Sequence, residues 1–301
     1  MSKKSKGNLK ATDVISKSVD IALSDLKNLG VLVVIFQLVP MILMSLIGIS
    51  FVVSRISILS RYQYKIPLFT DMLIILLLVI AIGIWTTLGN FVIIKLVHSK
   101  NNKEVPSDYV RMGKFEESNQ GFGHSLNEEM TWRKAMKATL PKVGKVILCI
   151  LFTFIISIAF SVILVVLVFI GGMIIAGISK VSNFLGVLLG VFGVIGIIAI
   201  VICFTIYIVF MQQGIAIHEL GVWESFKNTI TMVNGRLFNV FAKELLVYII
   251  AMIAGLVLNL LNLIPFIGPI IMMIGSGIVV VYQVICNTVI FDDYDQCDRN
   301  I

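Results

Sequence analysis

Six long apolar runs without a single charged residue are the feature that most constrains this chain. A transmembrane helix needs roughly 20 predominantly apolar residues, because each residue rises about 1.5 Å and the hydrocarbon layer is about 30 Å thick. Each run meets that length, and none shows the strict alternation of a β-barrel strand. The runs are Leu29–Val53, Met72–Ile94, Val146–Ser179, Val181–Ile217, Leu245–Ile264 and Ile267–Phe291.

Composition agrees with the bilayer as the solvent of this chain. Hydrophobic residues make up 58% of the sequence and charged residues 14%, whereas a soluble domain is about 25% charged. We therefore predict an all-α integral membrane protein with six transmembrane helices. The third and fourth runs exceed a straight span, so we expect them to tilt, to enter the interface, or to bend at their glycines.

The order of the runs divides the chain into three parts. Residues 1–28 form a basic arm with an amphipathic helix. Residues 29–291 form the six-helix membrane domain, with a long polar loop at 98–145 and an interfacial helix at 218–242. Residues 292–301, which contain DDYDQCD, are interpreted as a solvated acidic tail.

Orientation follows from the lysines and arginines of the connections, which are enriched on the cytoplasmic side of membrane proteins. The N-terminal arm, the 98–145 loop and the segment before the fifth run are rich in them. The opposite connections hold only Arg55, Arg61, Lys65 and Lys180. This asymmetry predicts a multi-pass protein of the bacterial cytoplasmic membrane with both termini in the cytoplasm. Anionic lipid headgroups account for the net charge of +7, and no nucleic-acid partner is expected.

Three short amphipathic segments precede the first, third and fifth runs. Each carries an apolar stripe at helical spacing, and each is expected to end at a glycine before the chain enters the bilayer. We interpret the architecture as three units, each an interfacial amphipathic helix followed by a transmembrane hairpin. MKATLPKV and FKNTITMV share a hydrophobe, Lys, x, Thr and a closing Val. The stripes are Ile15, Val19, Ala22, Leu26 and Leu29; Trp132, Met136, Leu140 and Val143; and Val222, Trp223, Phe226, Ile230 and Val233, closed by Gly30, Gly144 and Gly235.

The second and third segments supply the candidate membrane-contact residues. Tryptophan suits the headgroup region, and neighbouring cations favour anionic lipids. The predicted contact residues are Trp132, Met136, Trp223, Phe226, Arg133, Lys134, Lys227 and Arg236.

Catalytic or metal chemistry finds little support in the sequence. HELGV resembles the start of the HExxH zinc signature, but Val222 stands where the second histidine is required. His218 and Glu219 are therefore interpreted as the end of the fourth span. The cysteines lack CxxC or Cys/His ligand spacing. We expect no catalytic residues, no metal and no cofactor, and the chain is predicted not to be an enzyme.

The runs contain neutral polar residues but no ionisable residue well inside the hydrocarbon region, where such groups usually mark transport or proton relay. Gln283 and Asn287 lie four apart on one helix face. They could line a polar cavity with Asn90 and Asn259, or they could form ordinary interhelical hydrogen bonds, which average about 0.6 kcal/mol. The second interpretation is favoured.

Three segments carry a resemblance to a known group. They are KNNKEVPSDYVRMGKF (Lys100–Phe115), GIAIHELGVWESFKNTITMVNGRLFNVF (Gly214–Phe241) and VICNTVIFDDYD (Val284–Asp295). They resemble the membrane domain attached to some bacterial glycerophosphoryl diester phosphodiesterases and related inner-membrane proteins. Phe226 stands near a position where that group often has a small residue. The resemblance implies a six-helix bacterial membrane domain. It does not imply phosphodiesterase activity, because the soluble barrel with its acidic and histidine ligands is absent here.

Two functions follow as expectations. The first is a non-enzymatic scaffold or accessory module that engages the inner leaflet, with membrane lipids as partners and another membrane protein as a further candidate. The alternative is an uncoupled or partner-driven transporter or lipid-handling protein with a polar cavity in the helix bundle.

Overall fold

The computed structural model describes residues 9–46, 68–103, 130–265 and 267–299, and the described chain is helical with no strand. Six helices are long and apolar enough to cross a membrane, which confirms the predicted fold class. Three short helices precede the first, third and fifth of them. The elements are α1 (Ala11–Ser24), α2 (Leu26–Leu46, with a π-helical stretch at Val34–Leu38), α3 (Leu68–Lys103), α4 (Trp132–Thr139), α5 (Val143–Ser179), α6 (Asn183–His218), α7 (Val222–Val233), α8 (Leu237–Leu261) and α9 (Gly268–Arg299).

The spanning helices alternate in direction and meet at one end, which we call the polar end. It contains the starts of α2, α5 and α8 and the last turns of α3, α6 and α9. Contacts from α9 define it, since Asp292 meets His98 of α3 and Asp295 meets His218 of α6. Among the Lys and Arg residues of the described chain, only Lys180 lies in a connection at the opposite end. The predicted one-sided charge distribution is therefore present in the described part of the fold.

The buried core lies towards the polar end. Apolar side chains of α1, α2, α3, α8 and α9 form most of it, with Phe210 packed edge-on against Phe291 at 5.6 Å between ring centroids. The α5–α6 hairpin, by contrast, extends away from this core. Within the fully described stretch 150–205, Gly186 is the only buried residue. Most apolar side chains of the hairpin thus remain exposed to the surroundings over a large part of their surface, as lipid-facing side chains do.

The two hairpin helices are unusually long. They have 37 and 36 residues and are continuous α-helices, so each is roughly 55 Å long against a hydrocarbon thickness of about 30 Å. Phe160 and Phe204 stack at 3.9 Å between the helices. Both helices continue without a break through Gly171, Gly172 and the stretch Gly186–Gly196, so no glycine interrupts the hairpin helices.

Two of the three predicted helix ends are wrong. Gly30 and Gly144 both lie inside spanning helices. The first break falls at Asp25, whose carboxylate is held by Asn28 at 2.6 Å and by Lys100 at 3.1 Å. The second is a 3₁₀ turn over Leu140–Lys142, where Pro141 cannot donate a backbone hydrogen bond. Tertiary contacts and a proline, not glycine, set these two boundaries.

The third predicted end is confirmed, and it shifts the start of the fifth span. Gly235 adopts φ +82, a conformation that glycine tolerates best. The predicted interfacial helix at 218–242 is therefore divided, and α8 begins at Leu237 instead of Leu245. Lys243 and Glu244 consequently lie about two turns into a spanning helix, near its polar end, and not in the connection before it. The segments 47–67 and 104–129, which include most of the predicted 98–145 loop, lie outside the described residues.

Candidate functional site

The last turns of α9 form the centre of a buried polar cluster. Asp292, Asp293, Tyr294 and Asp295 are all buried. Successive residues of an α-helix are about 100° apart, so these four side chains point towards different neighbours. Buried charges are tolerated when they are paired and hydrogen-bonded, and each of the three carboxylates meets a partner on another element.

The pairs join α9 to four parts of the chain. Asp292 contacts Nδ1 of His98 at 2.7 Å and accepts a hydrogen bond from Asn101 Nδ2 at 2.7 Å. Asp295 contacts Nε2 of His218 at 3.1 Å. Asp293 accepts hydrogen bonds from Lys243 Nζ at 2.8 Å and from the backbone N–H of Leu9 at 3.3 Å. The cluster therefore fastens α3, α6, α8 and the N-terminal segment to the end of α9.

Tyr294 lies beneath two cations. Lys243 Nζ is 4.5 Å from its ring centroid, and Arg236 Cζ is 5.8 Å away, within the range of cation–π attraction. Arg236 is buried, so its predicted role in membrane contact is wrong. The reason is that Gly235 turns the chain inward, which places Arg236 against Tyr294 and not at the surface.

The predicted solvated tail at 292–301 is also wrong over its first half. The helix α9 continues to Arg299, and the side chains from Asp292 to Asp295 are buried against the bundle. Acidic residues that follow an apolar run form a solvated tail only when no other helix offers them a cation or a hydrogen-bond donor. Here the partners come from other helices that end at the same depth.

A second polar group, which we call the lysine cluster, consists of Lys95, Lys142 and Lys145 around Glu219. Glu219 follows the end of α6 with φ 58, as expected for the end of the fourth span. Lys95 Nζ is 3.6 Å from Glu219 Oε1, and Lys142 contacts the same oxygen. Lys145 contacts the backbone carbonyl of Glu219. Two cations thus meet the carboxylate of Glu219 and a third meets its backbone carbonyl, and their position suits the negative end of the α6 dipole.

The helix α7 packs on the bundle through small polar side chains. Ser225 donates to the carbonyl of Met211 at 2.7 Å, and Thr229 donates to the carbonyl of Ser225 at 2.9 Å. Both are almost fully buried, whereas Trp223 is 58% exposed and Ile230 is 42% exposed. The apolar stripe of α7 is therefore divided: Trp223 and Ile230 face outward, whereas Val233 is buried and Val222 and Phe226 pack against core residues.

The helix α4 repeats part of this arrangement. Thr139 is buried and donates to the carbonyl of Ala135 at 2.8 Å, in the position that Thr229 holds in the shared sequence pattern. Trp132 and Met136 pack against the main core with part of their surface exposed. Arg133 lies 5.4 Å from the Trp132 ring, as Lys227 lies 5.5 Å from the Trp223 ring.

The remaining predicted contact residues divide between surface and core. Lys134 and Lys227 are exposed. Phe226 packs against a smaller core cluster that includes Phe91 of α3 and Met211 of α6. It lies 5.5 Å from Phe152 and 6.0 Å from Trp223 between ring centroids. These three aromatic residues form a continuous apolar surface between α5 and α7.

The four residues proposed for a polar cavity are not brought together. Asn259 is exposed and donates to the carbonyl of Gly255 on its own helix. It lies 15 residues beyond Glu244, about 22 Å along α8. Asn287, with its amide oriented to satisfy both neighbours, donates to Glu244 Oε2 at 3.1 Å and to the carbonyl of Gln283 at 3.1 Å. Asn90 is partly buried in α3.

Sequence reasoning missed the ionisable members of these clusters. His98, Lys243 and Glu244 were placed in connections, and Asp292, Asp293 and Asp295 in a tail. One signal could have found them. Basic or imidazole residues stand at the polar end of the second, fourth and fifth runs, at the depth where α9 carries its acidic residues.

The fold and these clusters define an all-α, multi-pass membrane protein whose spanning helices are fastened by buried ion pairs at one end. Within the described residues, no group of three or more His, Cys, Asp or Glu residues is placed to hold a metal ion. Comparison with known protein families, with curated proteins and with solved structures found no match to this chain. The resemblance to the phosphodiesterase-associated membrane domain therefore stays a prediction.

Proposed function

We propose that this chain is a non-enzymatic scaffold or accessory module of the bacterial cytoplasmic membrane that engages the inner leaflet through α7. One observation carries the proposal. The helix α7 turns Ser225 and Thr229 into the bundle and leaves Trp223 and Ile230 exposed. Trp223 and Ile230 are seven residues apart, which puts them on one face two turns apart.

The chemistry of that exposed face suits the boundary between headgroups and acyl chains. An indole ring prefers this boundary, because one part of it is apolar and its N–H can reach polar groups. Lys227 lies over the Trp223 ring and is itself exposed, so a cation accompanies the aromatic group. Phe238, at the start of α8, is 82% exposed and is a further large apolar side chain at the polar end.

The proposed orientation places the polar end in the cytoplasm. The one-sided distribution of lysine and arginine supports it. The ion pairs from α9 would keep the base of the bundle rigid, so that α7 and α4 are held at a fixed height relative to the membrane. A rigid base that displays shallow membrane contacts is what a scaffold for another membrane protein requires.

Depth-dependent fluorescence quenching tests the membrane contact. We would keep Trp223 as the single tryptophan (Trp85→Phe, Trp132→Phe) and reconstitute the protein into phosphatidylcholine vesicles brominated at shallow or deep acyl positions. Shallow bromines are expected to quench Trp223 more strongly than deep ones. The matched control keeps Trp85, which lies well inside the span Leu76–Asn101 and is expected to respond more to deep bromines.

Two outcomes would count against the proposal. One is emission from Trp223 that aqueous iodide quenches and bromines do not. The other is a Trp132→Ser/Trp223→Ser variant whose membrane localisation, stability and cellular phenotype equal those of the natural chain. Native mass spectrometry of the protein from its own membrane adds a partner test, since a protein retained at fixed stoichiometry supports the accessory role.

A lipid-handling or transport function is the second candidate, and one observation favours it. Glu244 is almost fully buried in the spanning helix α8 and meets Asn287 of α9. Ionisable residues within membrane spans often serve transport. Flux that falls in Glu244→Gln and Asn287→Ala, with assembly unchanged, would favour this function. Unchanged flux would leave Glu244 as a structural contact.

A further inference from the structure

We propose that the lysine cluster and the adjoining aromatic surface form a binding site for the phosphate group of an anionic membrane phospholipid. The inference rests on the proposed function, because it requires α7 to lie at the lipid boundary. It goes further by naming the ligand class and the residues that recognise it: Lys95, Lys142 and Lys145 for the headgroup, and Phe152, Trp223 and Phe226 for the acyl chains.

The first argument is charge. Lys95 and Lys142 contact the carboxylate of Glu219, and Lys145 contacts its backbone carbonyl. Three ammonium groups therefore lie around one carboxylate, and two positive charges remain in excess. Lys95 is 8% exposed, and holding its ammonium group in a confined site is costly without further negative charge nearby. An anion that joins Glu219 supplies that charge.

The second argument is the position of the anion already present. Glu219 is a carboxylate that the protein itself supplies, and two of the lysines contact the same oxygen of it, Oε1. Its side chain is 40% exposed, so the centre of the cluster is open to the outside. A phosphate oxygen has the same preference for ammonium donors as a carboxylate oxygen has.

The third argument is the apolar surface next to the cluster. Phe152 lies seven residues beyond Lys145 on α5, which is about 10 Å along the axis and on nearly the same face. It contacts Trp223 at 6.1 Å and Phe226 at 5.5 Å between ring centroids. Cations therefore lie at the end of α5 that begins at the polar end, and aromatic rings lie two turns deeper. A phospholipid has the same order of groups along its length.

A net anionic headgroup fits better than a zwitterionic one. Each lysine near an anionic headgroup contributes about 1 kcal/mol of attraction, and a choline group would oppose that attraction with its own positive charge. Phosphatidylglycerol is therefore the appropriate probe, and phosphatidylcholine is the matched comparison. Both share the phosphate and the acyl chains, so the comparison isolates net headgroup charge.

Native mass spectrometry of the full chain, released from mixed micelles with either lipid, measures retention directly. We expect phosphatidylglycerol to be retained at one copy per site and phosphatidylcholine to be lost. Lys142→Gln/Lys145→Gln should weaken phosphatidylglycerol binding roughly 30-fold, as expected for two lysines. The control is Lys27→Gln/Lys137→Gln, which removes the same charge from exposed positions of α2 and α4 and should change binding less than about 3-fold.

Glu219→Gln keeps the test independent of folding defects. Removing the internal carboxylate raises the excess charge of the cluster from two to three, so phosphatidylglycerol should bind more tightly, by roughly 5-fold. Misfolding cannot produce such a gain. A weaker affinity in Glu219→Gln would overturn the proposal.

The remaining outcomes separate the possible sources of phosphate and the two proposals. Equal losses in the two lysine pairs, or equal retention of the two lipids, would overturn the proposed site. So would inorganic phosphate that binds the lipid-free protein and displaces phosphatidylglycerol at equal concentration, since the site would then take phosphate from solution. Quenching of Trp223 is measured in phosphatidylcholine alone, so it reports on the proposed membrane contact even if the anionic site fails.

Discussion

Lys243 and Asp293 form a buried ion pair between α8 and α9, with 2.8 Å between Nζ and Oδ2 and side chains only 7% and 5% exposed. The same lysine lies over the ring of Tyr294. The pair therefore links the start of the fifth spanning helix to the end of the sixth. Because the cost of burying these two charges is offset by their mutual contact, removing one partner matters more than removing both.

Replacing Lys243 with methionine is expected to lower the free energy of unfolding by about 3–5 kcal/mol, since it leaves a buried carboxylate without its cation. The double variant Lys243→Met/Asp293→Leu should recover much of that loss. The measurement is the free energy of unfolding from denaturation by sodium dodecyl sulfate in mixed micelles.

The control for this pair is Lys137→Met on the exposed face of α4, expected to change the free energy of unfolding by less than about 0.5 kcal/mol. If Lys243→Met and Lys137→Met were equally stable, the ion pair would contribute nothing measurable.

Truncation distinguishes a solvated tail from a structural helix end. A chain that ends after Phe291 loses all contacts of Asp292, Asp293, Tyr294 and Asp295, so we expect it to aggregate or to be degraded. A chain that ends after Gln296 keeps these contacts and should be eluted as a single monodisperse peak. Size-exclusion chromatography in detergent compares the two. Equal behaviour of both truncations would restore the interpretation of 292–301 as a dispensable tail.

The close approach of α7 to α6 at Gly214 predicts a steric effect with a specific remedy. A Cβ atom at Gly214 would overlap Ser225 Oγ. Gly214→Ala should therefore lower the free energy of unfolding by about 1–3 kcal/mol. Ser225→Ala alone should cost about 1 kcal/mol, because its hydrogen bond to Met211 is lost.

The double variant Gly214→Ala/Ser225→Ala should be no less stable than Gly214→Ala, because the overlapping oxygen is gone. Gly190→Ala is the matched control, since an added Cβ there meets nothing within 4 Å. Additive losses in the double variant, measured by the same denaturation, would show that the overlap is not the cause.

The spans could be predicted from the sequence because their signal is local. Run length and the absence of charge are enough to define a spanning helix, and Gly235 ends α7 for a reason that lies in glycine itself. The starts at Asp25 and at Leu140–Lys142 were placed a few residues too late, at Gly30 and Gly144. In the first case the signal is not local, because Lys100 of α3 helps to hold Asp25.

The pairings within the polar clusters could not be predicted, because they depend on which helices become neighbours, although the members share one end of their runs. Asp292 and His98 are 194 residues apart in sequence, and no pattern near either residue identifies the other. The inward face of α7 was only partly given by its apolar stripe, because Ser225 and Thr229 are buried together with Val233. In a membrane, apolar side chains can contact lipid tails as favourably as they contact protein. Small polar residues such as Ser225 can therefore form the contact between helices.

Membrane topology supplies the last prediction. In a background free of cysteine, we would introduce one reporter by Lys180→Cys, in the α5–α6 connection, and another by Lys227→Cys, on the exposed side of α7. Because these positions lie at opposite ends of the spanning helices, a membrane-impermeant maleimide should label only one of them in intact cells. The lysine distribution predicts that Lys180→Cys is the labelled one.

Lysed cells are the control, in which both reporters should react. Labelling of Lys227→Cys alone in intact cells would reverse the orientation and place α7 on the outer leaflet, whereas labelling of both would contradict the six-helix arrangement itself.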